Sequence, residues 1–397
     1  MTIMNLKKNA ALLTVLLIVF VDVLGFTVMI PLLPFYAESL GASPLVVGMI
    51  ASSYGICSLI AGPILGDLSD RFGRRPVLLI SQMGTCLSFI ILALSKTLWV
   101  VFVARIIDGV TSGNMTVAQA YISDVTKKEE RTRAMGMIGA AFGLGFILGP
   151  AISGFLVHFG HQAPIWASAF LSFVSILGTF FFLKEVREKN KTSERVNLQK
   201  YIRVMSSPLL RKYFTAFFLF SITFSLYMSG LALYSERALT YQGHAFGAKE
   251  VGFLLSYAGV FSLIVQLFII GKLVRKIGEE KVMLVGFCAT FIALLIIAFS
   301  PMLSIFLFGI TINVFGSSIL RPSIAGLLSK NASPEHQGLV FGINQTLMSI
   351  AQIISPLVSG LLIEHELKFY WCLSIAGCAL LGLLFGVIIN KTKQQIA

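Results

Sequence analysis

Four charged side chains stand where charge is costly: Asp22, Arg105, Asp108 and Arg321, each inside a long apolar run. At the centre of a bilayer such a group costs roughly 2.5–3.5 kcal/mol on insertion scales, so it marks function until shown otherwise. The chemistry open to them is proton exchange, because a carboxyl group held away from water binds its proton more readily than one in solution. Arg105 and Asp108 are three residues apart, which puts them on one face of a helix where they can pair. Asp22 has no charged neighbour in its own run and is expected to be the primary proton site, with Arg105–Asp108 as the coupled pair. The alternative is structural: a permanently satisfied ion pair beside a hydrogen-bonded Asp22. Arg321 lies near a polar edge and can extend its charge toward water. No acid falls inside an apolar run of the second half, and all five histidines lie in loops or at their margins.

The elements that must position these groups are transmembrane helices. The chain has 397 residues, 56% of them hydrophobic and 12% charged, and 33 are Phe. A soluble domain of this length has no way to bury so much apolar surface. Runs of about 20 apolar residues cross a bilayer as helices. Twelve such spans are expected, near 10–32, 44–65, 77–95, 98–123, 134–157, 163–183, 213–234, 250–270, 282–300, 303–328, 338–363 and 369–390. The fold class is therefore all-α polytopic membrane protein with 12 transmembrane helices. Lys7 and Lys8 precede a run too long for a cleaved leader, so the first span is expected to be retained.

The net charge of +13 is a topology signal rather than a nucleic-acid surface. With the N-terminus placed in the cytoplasm, 25 of the 31 basic residues fall in inner segments and four in outer ones. That imbalance predicts both termini inside. The five cysteines all lie in apolar runs without CxxC or metal spacing, and they read as small buried hydrophobes. Gly271–Lys272 lacks the first glycine and the Ser or Thr of a phosphate-binding loop, so ATP does not supply the energy. No cofactor or metal is expected.

A long polar loop from about Lys184 to Lys212 divides six spans from six. The halves echo each other. "GDLSDRFGRRPVLLIS" from Gly66 has a worn counterpart in "GKLVRKIGEEKVMLVG" from Gly271, and Gly136, Pro150 and Gly154 fall on Gly342, Pro356 and Gly360, at offsets of 205 and 206. Duplication follows. The expected organisation is a six-helix bundle over 1–184, a cytoplasmic linker over 185–212 and a second bundle over 213–397, with a substrate site near mid-membrane as in other parallel-repeat carriers.

The knot "GDLSDRFGRRPVLL", Gly66 to Leu79, carries Asp67, Asp70, Arg71, Arg74 and Arg75 between two apolar spans. The arginines satisfy the inner-loop rule, and Gly73 permits a tight turn. The two aspartates weaken that signal and so ask for specific partners. Gly-Asp-Leu-Ser-Asp-Arg-Phe-Gly-Arg-Arg resembles the loop 2–3 signature of the major facilitator superfamily. Its tetracycline-resistance-like branch of 12-span drug:proton antiporters is closer still. The resemblance covers nearly the whole chain. "VDVLGFTVMIPLLP" is similar to the family's first span, and "RIIDG" aligns Arg105 and Gly109 with its fourth. Gly136, Gly145, Gly149, Pro150 and Gly154 fit the antiporter motif of the fifth, with Ser153 in place of one glycine. The resemblance implies a cytoplasmic latch of Gly66, Asp70, Arg71, Gly73, Arg74 and Arg75. In it Asp70 caps a helix of the other half and the arginines pair with Asp124. The span-5 motif implies export. Two acids of the tetracycline pumps are replaced, by Ser88 and Thr290, and Asp108 is gained, so the resemblance implies a different organic solute.

A pocket for an amphiphilic solute needs apolar walls with a few placed polar groups. Phe220, Phe224 and Tyr227 of span 7 supply an aromatic face, and Gln266, Asn313, Gln345 and Gln352 supply amides. The aromatic face reads equally as core or lipid contact. The expected function is proton-coupled antiport exporting a small amphiphilic solute or drug from the bacterial cytoplasm through the inner membrane. The partners expected are that solute, protons and the bilayer, for a monomer with no nucleic acid. A proton-coupled importer or uniporter and a non-transporting membrane sensor are the alternatives.

Overall fold

The computed structural model describes residues 3–126, 128–185, 204–299, 302–332 and 337–394, so most of the linker, 186–203, lies outside the described residues. Among the described residues twelve helices are long and apolar enough to cross a membrane. The expected number of spans is therefore met. In hydrocarbon every backbone polar group must be satisfied within its own segment, which is why apolar runs of this length become helices.

The first half comprises α1 (Ile3–Ser39), α2 (Pro44–Phe72), α3 (Arg74–Ala93), α4 (Leu98–Val110), α5 (Asn114–Val125), α6 (Lys128–Leu156) and α7 (Gln162–Phe182). The second half comprises α8 (Pro208–Ala238), α9 (Ala248–Ile264), α10 (Ile270–Ile277), α11 (Glu279–Ala298), α12 (Leu303–Asn331), α13 (Gln337–Glu364) and α14 (Lys368–Gln394). A two-residue hairpin, Thr240–Tyr241 with His244–Ala245, joins α8 to α9.

Two spans are not continuous helices. The fourth breaks at Thr111–Gly113 into α4 and α5, and the eighth passes from α9 to α10 through a π-turn, Val265–Ile269. In the fourth span the freed backbone finds local partners. Ser81 donates to the Thr111 carbonyl at 2.5 Å, and the Gly113 amide donates to the Ser81 hydroxyl at 3.3 Å. A Cβ at Gly84 would meet the Thr111 side chain, so α3 can lie against the break only because that position is glycine. The break decides where the next side chain, Asn114, is aimed.

The chain forms two compact units. One holds Met1–Ala42, Ile50–Glu194 and Gly247–Ser256; the other holds Ser43–Met49, Arg195–Phe246 and Tyr257–Ala397. Inside the first unit α1 packs on α6 and α7, and α3 on α7 and α4. Inside the second, α8 packs on α13 and α14, and α11 on α14 and α12. These are the same neighbours, counted from the start of each half.

The glycines of α6 set how closely α1 approaches. A Cβ on Gly145 would lie 3.0 Å from the Val23 side chain, and one on Gly149 would run into Thr27. Thr27, fully buried, donates to the Gly145 carbonyl at 2.9 Å. Small residues that let helix backbones touch take the place of a hydrophobic drive between helices in lipid. Gly154 faces Gly252 and the Lys249 carbonyl in the same way. Gly136 and Pro150 lie within α6. Gly149→Ala is expected to lower stability by about 1–3 kcal/mol through overpacking. At Gly143 a Cβ meets nothing within 4 Å, so Gly143→Ala should be neutral or slightly stabilising. Thermal unfolding of the two variants in detergent gives the ranking.

Candidate functional site

Asp22 sits in α1 and lines a small cavity in the first unit with Ile18, Val21, Gln82, Thr85, Phe89, Asn114, Ser172 and Ser175. Asn114, the first residue after the break in the fourth span, donates from Nδ2 to Asp22 Oδ1 at 2.7 Å. Asp22 therefore has a hydrogen-bond partner from a span other than its own. A polar residue three spans away in sequence escapes a reading based on helix periodicity. The signal was present in Thr-Ser-Gly-Asn, residues 111–114, a turn-like stretch inside an apolar run.

Arg105 and Asp108 pair across one turn of α4, with Nη2 and Oδ2 3.1 Å apart. Both are buried, Arg105 to 3% exposure. The guanidinium also lies over the Tyr54 ring, 5.7 Å from its centroid. The contact with Asp108 is an ion pair without aligned hydrogen-bond geometry, and Arg105 Nε has no acceptor in the protein. Ser88 on α3 donates its hydroxyl to the Thr85 carbonyl at 3.0 Å. The structure thus holds Asp22, Asp108 and Arg105 in one unit, from two helices. Asn114, Thr85, Gln82 and Tyr54 join them, and none of these four was singled out from sequence.

A second cavity lies in the second unit, lined by Phe220, Thr223, Phe224, Tyr227, Thr290, Asn313, Ser317 and Leu320. At the repeat offset of 205, Asp22 falls on Tyr227, Thr85 on Thr290 and Asp108 on Asn313. Asp22 and Thr85 in the first lining thus match Tyr227 and Thr290 in the second, and the second lining contains no acid. Phe220 stacks on Phe224 at 5.9 Å and tilts against Phe217 at 6.1 Å. Tyr227 and Asn313 are buried to 3% exposure each. The aromatic face thus belongs to the core around this cavity. The expected amides divide. Asn313 lines the cavity, but Gln266 is exposed in the π-turn and donates to Ser262 at 3.0 Å, Gln345 is exposed, and Gln352 is half-buried outside the lining. Arg321 is exposed on α12.

At the knot Gly73 has φ +103°, the left-handed side that a side chain would strain, and a Cβ there would also strike Glu185. Glu185, just beyond α7, accepts the Arg74 and Arg75 amides at 2.9 and 3.1 Å. A carboxylate thereby satisfies the open N–H groups at the start of α3 and faces the positive end of its dipole. This cap was not read from sequence, because it closes over more than a hundred residues. Arg74 reaches Asp124 at 2.9 Å, Asp70 at 2.6 Å and the Ser69 hydroxyl at 2.6 Å. The implied pairing of loop arginine with Asp124 is present, and Asp70 also turns to Arg74 in its own knot. Arg71 pairs with Asp67 at 2.7 Å on the exposed side, and Arg75 donates to the Phe180 carbonyl at 2.6 Å. A Cβ at Gly66 would lie 3.6 Å from the Thr116 side chain, ordinary contact distance. In the second half Gly278, at the same offset from Gly73, also has positive φ, and Glu279 there pairs with Lys330 at 2.8 Å. The charges are reversed between the repeats.

Apolar spans, a duplicated plan and a few buried charges are the construction of a membrane transporter. The chain matches the Major Facilitator Superfamily over residues 15–245 and 238–395, and it belongs to that family. It is 29% identical over 388 residues to the class B tetracycline resistance protein of Escherichia coli, covering 95% of each chain. It is 28% identical over 389 residues to multidrug resistance protein 2 of Bacillus subtilis (strain 168), covering 96% of this chain and 94% of that one. The crystal structure of the human organic anion transporter MFSD10 shares the fold, with a TM-score of 0.71 at 23% identity over 96% of this chain and 99% of that one.

Arg74 and Asp124 are 11% and 12% exposed, whereas Arg71 and Asp67 are 63% and 39% exposed. Arg74→Ala removes the cation that Asp124 and Asp70 share and should cost about 3 kcal/mol. Arg71→Ala should cost less than about 1 kcal/mol. Unfolding midpoints in detergent test this order.

Proposed function

We propose that this transporter is a proton-coupled antiporter that exports a small amphiphilic organic solute from the bacterial cytoplasm, by alternating access. Asp22 is its primary proton site and Arg105–Asp108 the coupled pair. The observation that carries the reading is the unequal twin cavities. The first is lined by Asp22, with the ion-paired Asp108 elsewhere in the same unit, and the second offers aromatic walls with the neutral Tyr227 and Asn313. Proton exchange belongs with the first and solute contact with the second. The knot around Arg74 and Asp124 serves as the cytoplasmic latch. Basic residues concentrate in segments that place both termini in the cytoplasm, and the protein acts as a monomer in the inner membrane.

The export direction draws on the span-5 motif and on relatives named as tetracycline and multidrug resistance proteins. The energetics suffice. One proton moving down 100 mV releases about 2.3 kcal/mol, which supports a solute gradient of roughly 50-fold. Ser88 and Thr290 replace acids of the tetracycline pumps, which favours a solute other than a tetracycline–metal complex.

Expression in a host stripped of its own pumps should raise tolerance to at least one amphiphilic compound in a susceptibility panel. Everted vesicles from that host should then lose part of an imposed pH gradient when the compound is added. Asp22→Asn should abolish both effects, and Asp108→Asn should weaken them at least about tenfold. Unchanged proton-driven export in Asp22→Asn, or uptake in place of export, would overturn the reading.

A further inference from the structure

The cavity lined by Asp22 has about 10 Å³ open to the centre of a water-sized body, which is room for one. Five other residues of its lining carry side-chain oxygen: Gln82 and Asn114 as amides, Thr85, Ser172 and Ser175 as hydroxyls. Both amides are engaged through their nitrogens. Asn114 donates from Nδ2 to Asp22 Oδ1 at 2.7 Å, and Gln82 donates from Nε2 to Ser175 Oγ at 3.1 Å. An ionised carboxyl group only accepts, so the first contact fixes which end of Asn114 faces Asp22. Asn114 Oδ1 and Gln82 Oε1 receive no hydrogen bond from the protein, though each residue is only 2% exposed. A buried acceptor has given up its water, and without a partner it gets nothing in return.

The same lining holds one acid and no basic residue. Arg105 is not part of it and is paired with Asp108 at 3.1 Å. Of the helices packed against α1, α7 has no charged residue, and α6 carries its charges only at its start, 128–133. On α5, Asp124 is paired with Arg74, and Tyr121 donates to the Lys184 carbonyl. An ionised Asp22 therefore asks for a counter-charge, and two amide oxygens beside it ask for an electropositive partner. A water serves the oxygens but brings no charge. A proton on Asp22 removes the charge but cannot serve both oxygens. A metal cation does both.

We propose that this cavity binds one sodium ion, held by the Asp22 carboxylate, Gln82 Oε1 and Asn114 Oδ1, with lining hydroxyls as further ligands. All of these are oxygens, the ligands a hard cation takes. A single carboxylate sets the charge, since a divalent ion would be left buried with a surplus. Room for one water-sized body suits sodium better than the larger potassium. The inference rests on the antiport reading only in needing Asp22 to give up its proton, and it adds the ion that takes the proton's place.

The test uses sodium itself. Full-length protein is kept in detergent at fixed pH and ionic strength, with choline chloride exchanged for sodium or potassium chloride. Sodium in about 100-fold excess over its Kd should raise the unfolding midpoint by at least about 2 °C, and potassium should raise it by less than half as much. Radioactive sodium should bind at about one ion per chain in equilibrium dialysis. Gln82→Met, close in volume, removes one of the two unpaired oxygens. It should weaken sodium binding about tenfold while unfolding near the native temperature in choline. Asp22→Asn should lose the binding. Native protein indifferent to sodium, or a sodium effect unchanged in both variants, would overturn the cation site and leave the antiport reading standing. Sodium bound as expected, with proton-driven export untouched in Asp22→Asn, would overturn the antiport reading and leave the site.

Discussion

A carboxylate in hydrocarbon must find partners or take up a proton, and the first unit is arranged around that requirement. Asp108 is held by its ion pair with Arg105. Asp22 is held by a single amide at the edge of a polar cavity. The difference in support separates their roles. The better-partnered acid is the more costly to neutralise, because a proton on it would leave Arg105 buried without a counter-charge. Most other features of the unit serve this arrangement: the broken fourth span aims Asn114, the glycines of α6 bring α1 close, and Gly84 makes room for the break.

The two halves show what duplication keeps and what it exchanges. Helix neighbours are retained, and so is the turn glycine at 73 and 278. Thr85 and Thr290 are retained in the walls of matching cavities. Charge is not retained. Tyr227 and Asn313 stand in the second half where the first has Asp22 and Asp108, and an acid–lysine pair stands where the first has arginine and acid. Backbone geometry depends on small residues at a few fixed places, so both copies keep them. Charge is not part of that backbone geometry, so the two copies can differ in it.

Much of this was legible in the residues. Spans follow from apolar runs, and the basic residues predict an orientation. The repeat is visible in "GDLSDRFGRRPVLLIS" and its worn twin, and Arg105 and Asp108 announce their pairing by a spacing of three. The amides were harder. Gln266 looked like a pocket residue because it is polar in an apolar run, but the π-turn rotates it outward to Ser262. A π-turn shifts every later side chain around the helix axis, and a count based on 3.6 residues per turn does not register it.

The sequence by itself determined the class of protein, the number of spans, the duplication and the short list of charges that have no structural excuse. These follow from composition and from periods along one chain, since transfer into lipid is decided segment by segment. Only the tertiary structure decided which of those charges have company. Asn114 reaches Asp22 across 92 residues and Glu185 closes the start of α3 across 111. Such partners are set by where helices break and how closely they pack, and both depend on residues far apart in the chain.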